Sequence, residues 1–128
     1  MVLKQTWVNL TDSSLVQWVK VFHLYGGFNR KFSSVGYYIK GSVRILKPIY
    51  DYYKGYQIKR INKGKVTRSL IIRQVYKFKK KDYLYIQFRK NSSILVKKKN
   101  TFISKYLVGP GISVFRNKRL LTLFKKAL

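Results

Sequence analysis

The chain has 128 residues, room for one domain of about 100–150 residues, and 46% hydrophobic with 16% aromatic content, too apolar for a disordered basic tail. Lys and Arg number 29 against three acids, Asp12, Asp51 and Asp82, for a formal net charge of +26. General acid–base catalysis draws on His, Asp or Glu, of which only His23 and these three remain, and the absence of cysteine excludes disulfides and thiolate metal sites. Like charge in such excess repels itself unless a polyanion is present, so nucleic acid is the expected partner.

Met1 to Thr6 contain neither an apolar signal core nor an Arg/Ser-rich amphipathic presequence, and the expectation is a protein that works where it is made. Lys, Tyr, Phe, Ile and Asn are abundant while Ala appears once, at Ala127, a bias expected of an A/T-rich organellar genome. No stretch reaches the roughly 18 apolar residues of a spanning helix, so no membrane is expected as a partner. Asp12, beside Ser13 and Ser14, suits a turn or cap.

Val16 to Leu24 is the first strand candidate, and His23 is a residue of that strand. It is followed by Gly26-Gly27-Phe28-Asn29-Arg30-Lys31, where paired glycines let the backbone approach a phosphate that Arg30 and Lys31 could neutralise. A plain turn with solvated charges explains the same residues equally well. From Tyr38 to Leu46, Ile39, Gly41, Val43 and Ile45 alternate with Lys40, Ser42 and Arg44, the period of a strand with one buried and one basic face. Pro48 to Asn62, rich in Tyr, reads as an excursion between strands.

Val66 to Tyr76 and Tyr83 to Phe88 are further strand candidates. Lys77 to Asp82 between them is too short for a crossover helix, which predicts an antiparallel hairpin with a basic tip. There Lys77, Lys79, Lys80 and Lys81 interleave with Tyr76, Phe78 and Tyr83, as suits a finger that touches RNA. Ser93 to Val96 is a short strand, and Lys97-Lys98-Lys99 after it reads as a solvated loop. Several short strands at close spacing argue for a small barrel, because closure removes exposed edges. Gly109-Pro110-Gly111 ends the strand pattern; Leu120, Leu121, Phe124 and Leu128 then fit one face of a short helix.

Gln5-Thr6, Asn9 and Asp12-Ser13, then Gly26-Gly27, Asn29-Arg30-Lys31, Val35-Gly36, Ile39-Lys40, Pro48, Lys63-Gly64 and Gly109-Pro110 follow one another at intervals that carry a family likeness. Their order resembles the universal ribosomal large-subunit protein number fourteen, whose pattern runs Q-T-x-L-N-V-A-D-N-S-G, L-G-G-S-x-R-R, V-G-D, K-G-D and F-G-P. Leu15, Tyr37 and Lys65 replace a glycine and two acids of that pattern, as in a fast-evolving organellar version.

The resemblance implies one mainly β domain over residues 1–128. It would hold a five-stranded barrel over about 1–108 with a projecting β-ribbon, and short C-terminal helices over about 109–128. It implies a structural role on large-subunit rRNA at the intersubunit face, beside the counterpart of bacterial large-subunit protein nineteen. It also implies bridges to small-subunit rRNA and, in some members, docking of a ribosome-silencing factor. By position, Arg30 and Lys31 would face RNA, with Lys40, Arg44, Lys63, Arg68 and Arg73 on the barrel. Lys77, Lys79, Lys80, Lys81 and Arg89 would serve the ribbon, and Arg116, Lys118 and Arg119 the C-terminal region. The mitochondrial ribosome is the expected location, no cofactor is expected, and a free-standing basic nucleic-acid chaperone or compaction protein is the alternative.

Overall fold

The computed structural model describes residues 1–48, 61–80, 82–98, 101–104, 106–111 and 126–127. Eleven strands are found among them: β1 (Val2–Leu3), β2 (Trp7–Leu10), β3 (Val16–Leu24), β4 (Phe32–Ser33), β5 (Tyr38–Leu46), β6 (Val66–Arg73), β7 (Phe78–Lys79), β8 (Tyr85–Ile86), β9 (Ser92–Val96), β10 (Tyr106–Leu107) and β11 (Lys126–Ala127). Strands β2, β3, β5, β6 and β9 close a barrel in that order. Four of its five seams are antiparallel, and the parallel β2–β9 pair closes it.

Alternation decides what fills the barrel. Ile39, Gly41 and Val43 point inward from β5, and the register Ile39↔Ser69 and Gly41↔Thr67 brings small polar side chains of β6 opposite them. Val2, Val8, Val21, Leu24, Val35 and Ile71 pack with Ile39 at one end, and Leu10, Val16, Val19 and Leu95 with Val43 at the other. Gly41 is required by its neighbours: a Cβ there would lie 2.7 Å from the Lys20 carbonyl oxygen and overlap Val19. A strand as close as this tolerates no side chain.

The continuous apolar runs Leu70-Ile71-Ile72 and Ile94-Leu95-Val96 have a different cause. Leu70, Ile72, Ile94 and Val96 face outward, where Leu107, Phe102 and Tyr38 cover them in a smaller core outside the barrel wall. This part of the sheet is therefore buried on both faces, which removes the need for alternation.

Asp12 pins the chain where these layers meet. Its carboxylate accepts the backbone N–H of Leu95 at 3.1 Å, the Ser14 N–H at 3.2 Å and the Ser14 hydroxyl, while Lys47 Nζ donates to the Asp12 and Ser14 carbonyls. The adjacent Thr11 carbonyl accepts the Val108 N–H at 2.8 Å, tying the C-terminal segment to β2. Asp12 is thus more than a local turn residue.

Two strand expectations shift. The Val66–Tyr76 candidate ends at Arg73 and pairs with β5 and β9 in the barrel rather than with Tyr83–Phe88. The basic hairpin exists, but it is the separate two-stranded ribbon β7–β8, whose Phe78 and Ile86 pack with Phe88 against one end of the core. Strands β1, β2 and β4 had no strand assignment from sequence, being too short to show a period. The excursion at residues 49–60 lies outside the described residues. So does most of the C-terminal region expected to be helical; its described residues Lys126–Ala127 pair in parallel with Tyr106–Leu107.

Candidate nucleic-acid interface

The basic residues singled out by sequence fall into three groups with different chemistry. The first is the loop after β3. Gly26 and Gly27 take φ of 108° and 122°, turning the chain so that Arg30 folds back under it. Its Nη1 donates to the Tyr25 carbonyl at 3.1 Å and its Nε to the Phe32 carbonyl at 3.0 Å, and the guanidinium lies 4.1 Å from the Tyr37 ring centroid. Arg30 therefore holds the loop in shape, while Lys31 beside it is exposed. Between phosphate contact and a plain turn, the geometry bears on Arg30 alone, whose donors are used inside the turn.

The second group lies on the outer face of β3, β5 and β6. The registers His23↔Lys40 and Lys40↔Arg68 align these side chains in one row across three strands. Lys40 and Arg68 are like charges directly opposite one another, an arrangement that destabilises a sheet, and among the described residues no salt bridge relieves them. Arg68 packs over the Tyr38 ring at 4.1 Å and near the Tyr25 ring at 5.3 Å. Lys40 and Arg68 of this row line a cleft that Lys65, Lys97 and Lys98 also line. Lys97 and Lys98 are solvated, as expected of them, but they belong to this basic cleft rather than to a detached loop; Lys99 lies outside the described residues. Arg44 and Lys63 are exposed near the far end of the β5–β6 connection.

The third group is the ribbon. Lys77 and Lys79 are exposed, Lys80 is half-buried, and Lys79 Nζ sits 4.9 Å from the Tyr83 ring centroid. The Lys80 N–H donates to the Leu84 carbonyl at 2.8 Å, which closes the hairpin end and leaves Tyr83 and Tyr85 on the surface. Gln74 anchors the ribbon base, accepting the Val35 N–H at 3.1 Å and donating to the Tyr76 carbonyl at 3.1 Å. Arg89 is exposed just beyond the ribbon.

Arg73 stands apart from all three. Its Nε donates to the Pro110 carbonyl at 2.6 Å and its Nη2 to the Val108 carbonyl, so it holds the C-terminal segment on the barrel. Lys81, Arg116, Lys118 and Arg119 lie outside the described residues. Sequence reasoning missed Tyr25, Lys65, Lys97 and Lys98 as members of the cleft. Only the strand register, which is not a local signal, brings them beside Lys40 and Arg68.

Comparison with known proteins agrees with this architecture. The family described as Ribosomal protein L14p/L23e matches residues 1–127. The large ribosomal subunit protein uL14m of Tetrahymena pyriformis is 35% identical over 124 residues, covering 97% of each chain.

Proposed function

Because the chain belongs to the Ribosomal protein L14p/L23e family, we infer that it is a structural constituent of the large ribosomal subunit rather than an enzyme. Its similarity to a mitochondrial large-subunit protein over nearly the whole length supports a place in the mitochondrial ribosome. Its residue composition supports synthesis inside the organelle. It acts as one domain that binds large-subunit rRNA through its basic face and meets neighbouring ribosomal proteins. The intersubunit position, the contact with the counterpart of bacterial protein nineteen, the bridge to small-subunit rRNA and docking of a silencing factor rest on the family resemblance.

The observation that carries RNA binding is the row His23, Lys40, Arg68, a line of basic side chains kept on one face without acidic partners among the described residues. Selection for stability alone would not leave it so. The first test is sedimentation: the protein tracks large-subunit RNA through a gradient, whereas a free-standing chaperone stays near the top. The second is charge reversal during assembly. Lys31→Glu reduces incorporation into large subunits, and Lys79→Glu with Lys80→Glu either does the same or spares incorporation and weakens subunit joining. Equal losses from any two reversed lysines, in proportion to charge alone, would show that position does not matter and overturn the site assignment.

A further inference from the structure

Three arginines of the described chain, Arg30, Arg68 and Arg73, are only partly exposed, and their guanidinium groups are used in two ways. Arg30 and Arg73 give their donors to carbonyls of their own chain, Tyr25, Phe32, Val108 and Pro110. The Arg68 guanidinium makes no hydrogen bond among the described residues. Its Nε is buried without a partner, and it is held instead by the faces of Tyr38 and Tyr25. A ring contact fixes the plane of a guanidinium while leaving its N–H groups unengaged, the arrangement suited to a two-point hydrogen bond with an oxyanion.

We propose that the cleft between the β5–β6 face and the residues Lys97, Lys98, Thr101 and Ile103 holds the phosphodiester backbone of rRNA, with Arg68 gripping one phosphate and Lys40, Lys65, Lys97 and Lys98 neutralising its neighbours. The assignment rests on the rRNA-binding reading and deepens it to a site. Backbone rather than bases is the ligand because five cations, Lys40, Lys65, Arg68, Lys97 and Lys98, line the cleft against a single aromatic ring, Tyr25, on which Arg68 already lies. The flanking groups are lysines, point charges suited to phosphates along a strand rather than to reading a base edge. The buried Nε cannot itself meet a ligand, so the grip falls to the two Nη groups, which are not among the buried atoms and which the tyrosine rings leave unpaired.

Affinity of the full-length protein for large-subunit rRNA, measured across about 50 to 200 mM salt, tests the site. Each phosphate contact contributes about 0.7–0.9 to the slope of log affinity against log salt. Lys98→Gln, at an exposed position that leaves folding untouched, is expected to reduce the slope by about one contact, and Lys97→Gln likewise. Arg68→Lys keeps the charge but loses the planar fork; it is expected to weaken binding about tenfold with little change in slope. Thermal melts of each variant separate lost binding from lost folding.

If the wild-type protein does not bind the RNA, the rRNA-binding reading itself fails. If it binds and both lysine variants keep the wild-type slope, only the cleft assignment falls. Arg68→Lys binding as tightly as wild type removes the phosphate grip. Polyglutamate bound as tightly as RNA, with the same losses in the variants, would mean that the surface recognises negative charge of any kind and would overturn the site as an RNA site.

Discussion

Lys40 and Arg68 stand directly opposite each other across the β5–β6 ladder, both on the outer face of the barrel. Two cations at that spacing weaken the pair of strands that carries them, by about 0.2–1 kcal/mol at low salt. Among the described residues no acid offsets this pair, so relief is expected from a bound polyanion.

The thermal midpoint of the free protein is therefore expected to rise on replacing Lys40 with Ser at low salt, while rRNA affinity falls. Added rRNA should raise the midpoint of the wild-type protein, as linkage requires of a ligand that binds the native state. Circular dichroism melts at low and high salt measure both effects. A midpoint that does not respond to Lys40→Ser at low salt would show that repulsion in the row is already screened.

Asp12 predicts an unusual pH response. Burial pushes its carboxyl above the usual value of 3.8, although the hydrogen bonds from Ser14 and Leu95 and the charge of Lys47 oppose that shift. The native state thus holds this proton more tightly than the unfolded chain does. The contribution is fully present below about pH 3.8 and is lost as pH rises through the native-state value. Urea unfolding from pH 3 to 7 should show the wild-type protein losing stability with rising pH relative to Asp12→Asn. Asp12→Ala should be less stable by about 1–3 kcal/mol, because the buried Leu95 N–H loses its acceptor.

Gly41→Ala should destabilise the barrel by about 1–3 kcal/mol, the cost of overpacking a closed core. The atom in the way is the backbone carbonyl of Lys20, which cannot swing aside as a side chain can. Chemical denaturation gives the value directly. An alanine variant as stable as the parent would mean that the β3–β5 seam can spread.

Arg73→Ala should act on the fold and leave RNA binding unchanged. Loss of its bonds to Val108 and Pro110 should cost about 1 kcal/mol, at the low end for a charged donor because the contacts are solvent-exposed. The Val108 amide, which donates to Thr11, should exchange faster with deuterium. A reduced salt slope of rRNA binding in this variant would instead assign Arg73 to the RNA surface.

Tyr38–Leu46 was legible as a strand because one face had to be apolar and the other was free to carry charge. Val16–Leu24 and Ser92–Val96 were legible within a residue as β-rich runs. Trp7–Leu10, four residues long, shows too little of any period to be read, and it became a barrel strand only through its partners β3 and β9. The ribbon was foreseen from its basic tip but assigned the wrong flanking strand. Local spacing cannot tell a partner a few residues away in Tyr83–Phe88 from one further on in Ser92–Val96 when both are apolar.

The sequence by itself determined the class of partner, the mainly β fold and the family, because net charge, alternation and the order of short motifs are properties of the chain read in one dimension. Which cations are engaged within the fold was decided only by tertiary structure. Arg30, Arg68 and Arg73 are the same residue type in similarly basic surroundings, yet folding directs two of them onto their own backbone carbonyls and lays the third on tyrosine rings with its donors free. For Arg68 and Arg73 that difference depends on strand register and on contacts between residues distant in sequence, whereas the acceptors of Arg30, the carbonyls of Tyr25 and Phe32, are local and are placed by the glycine turn.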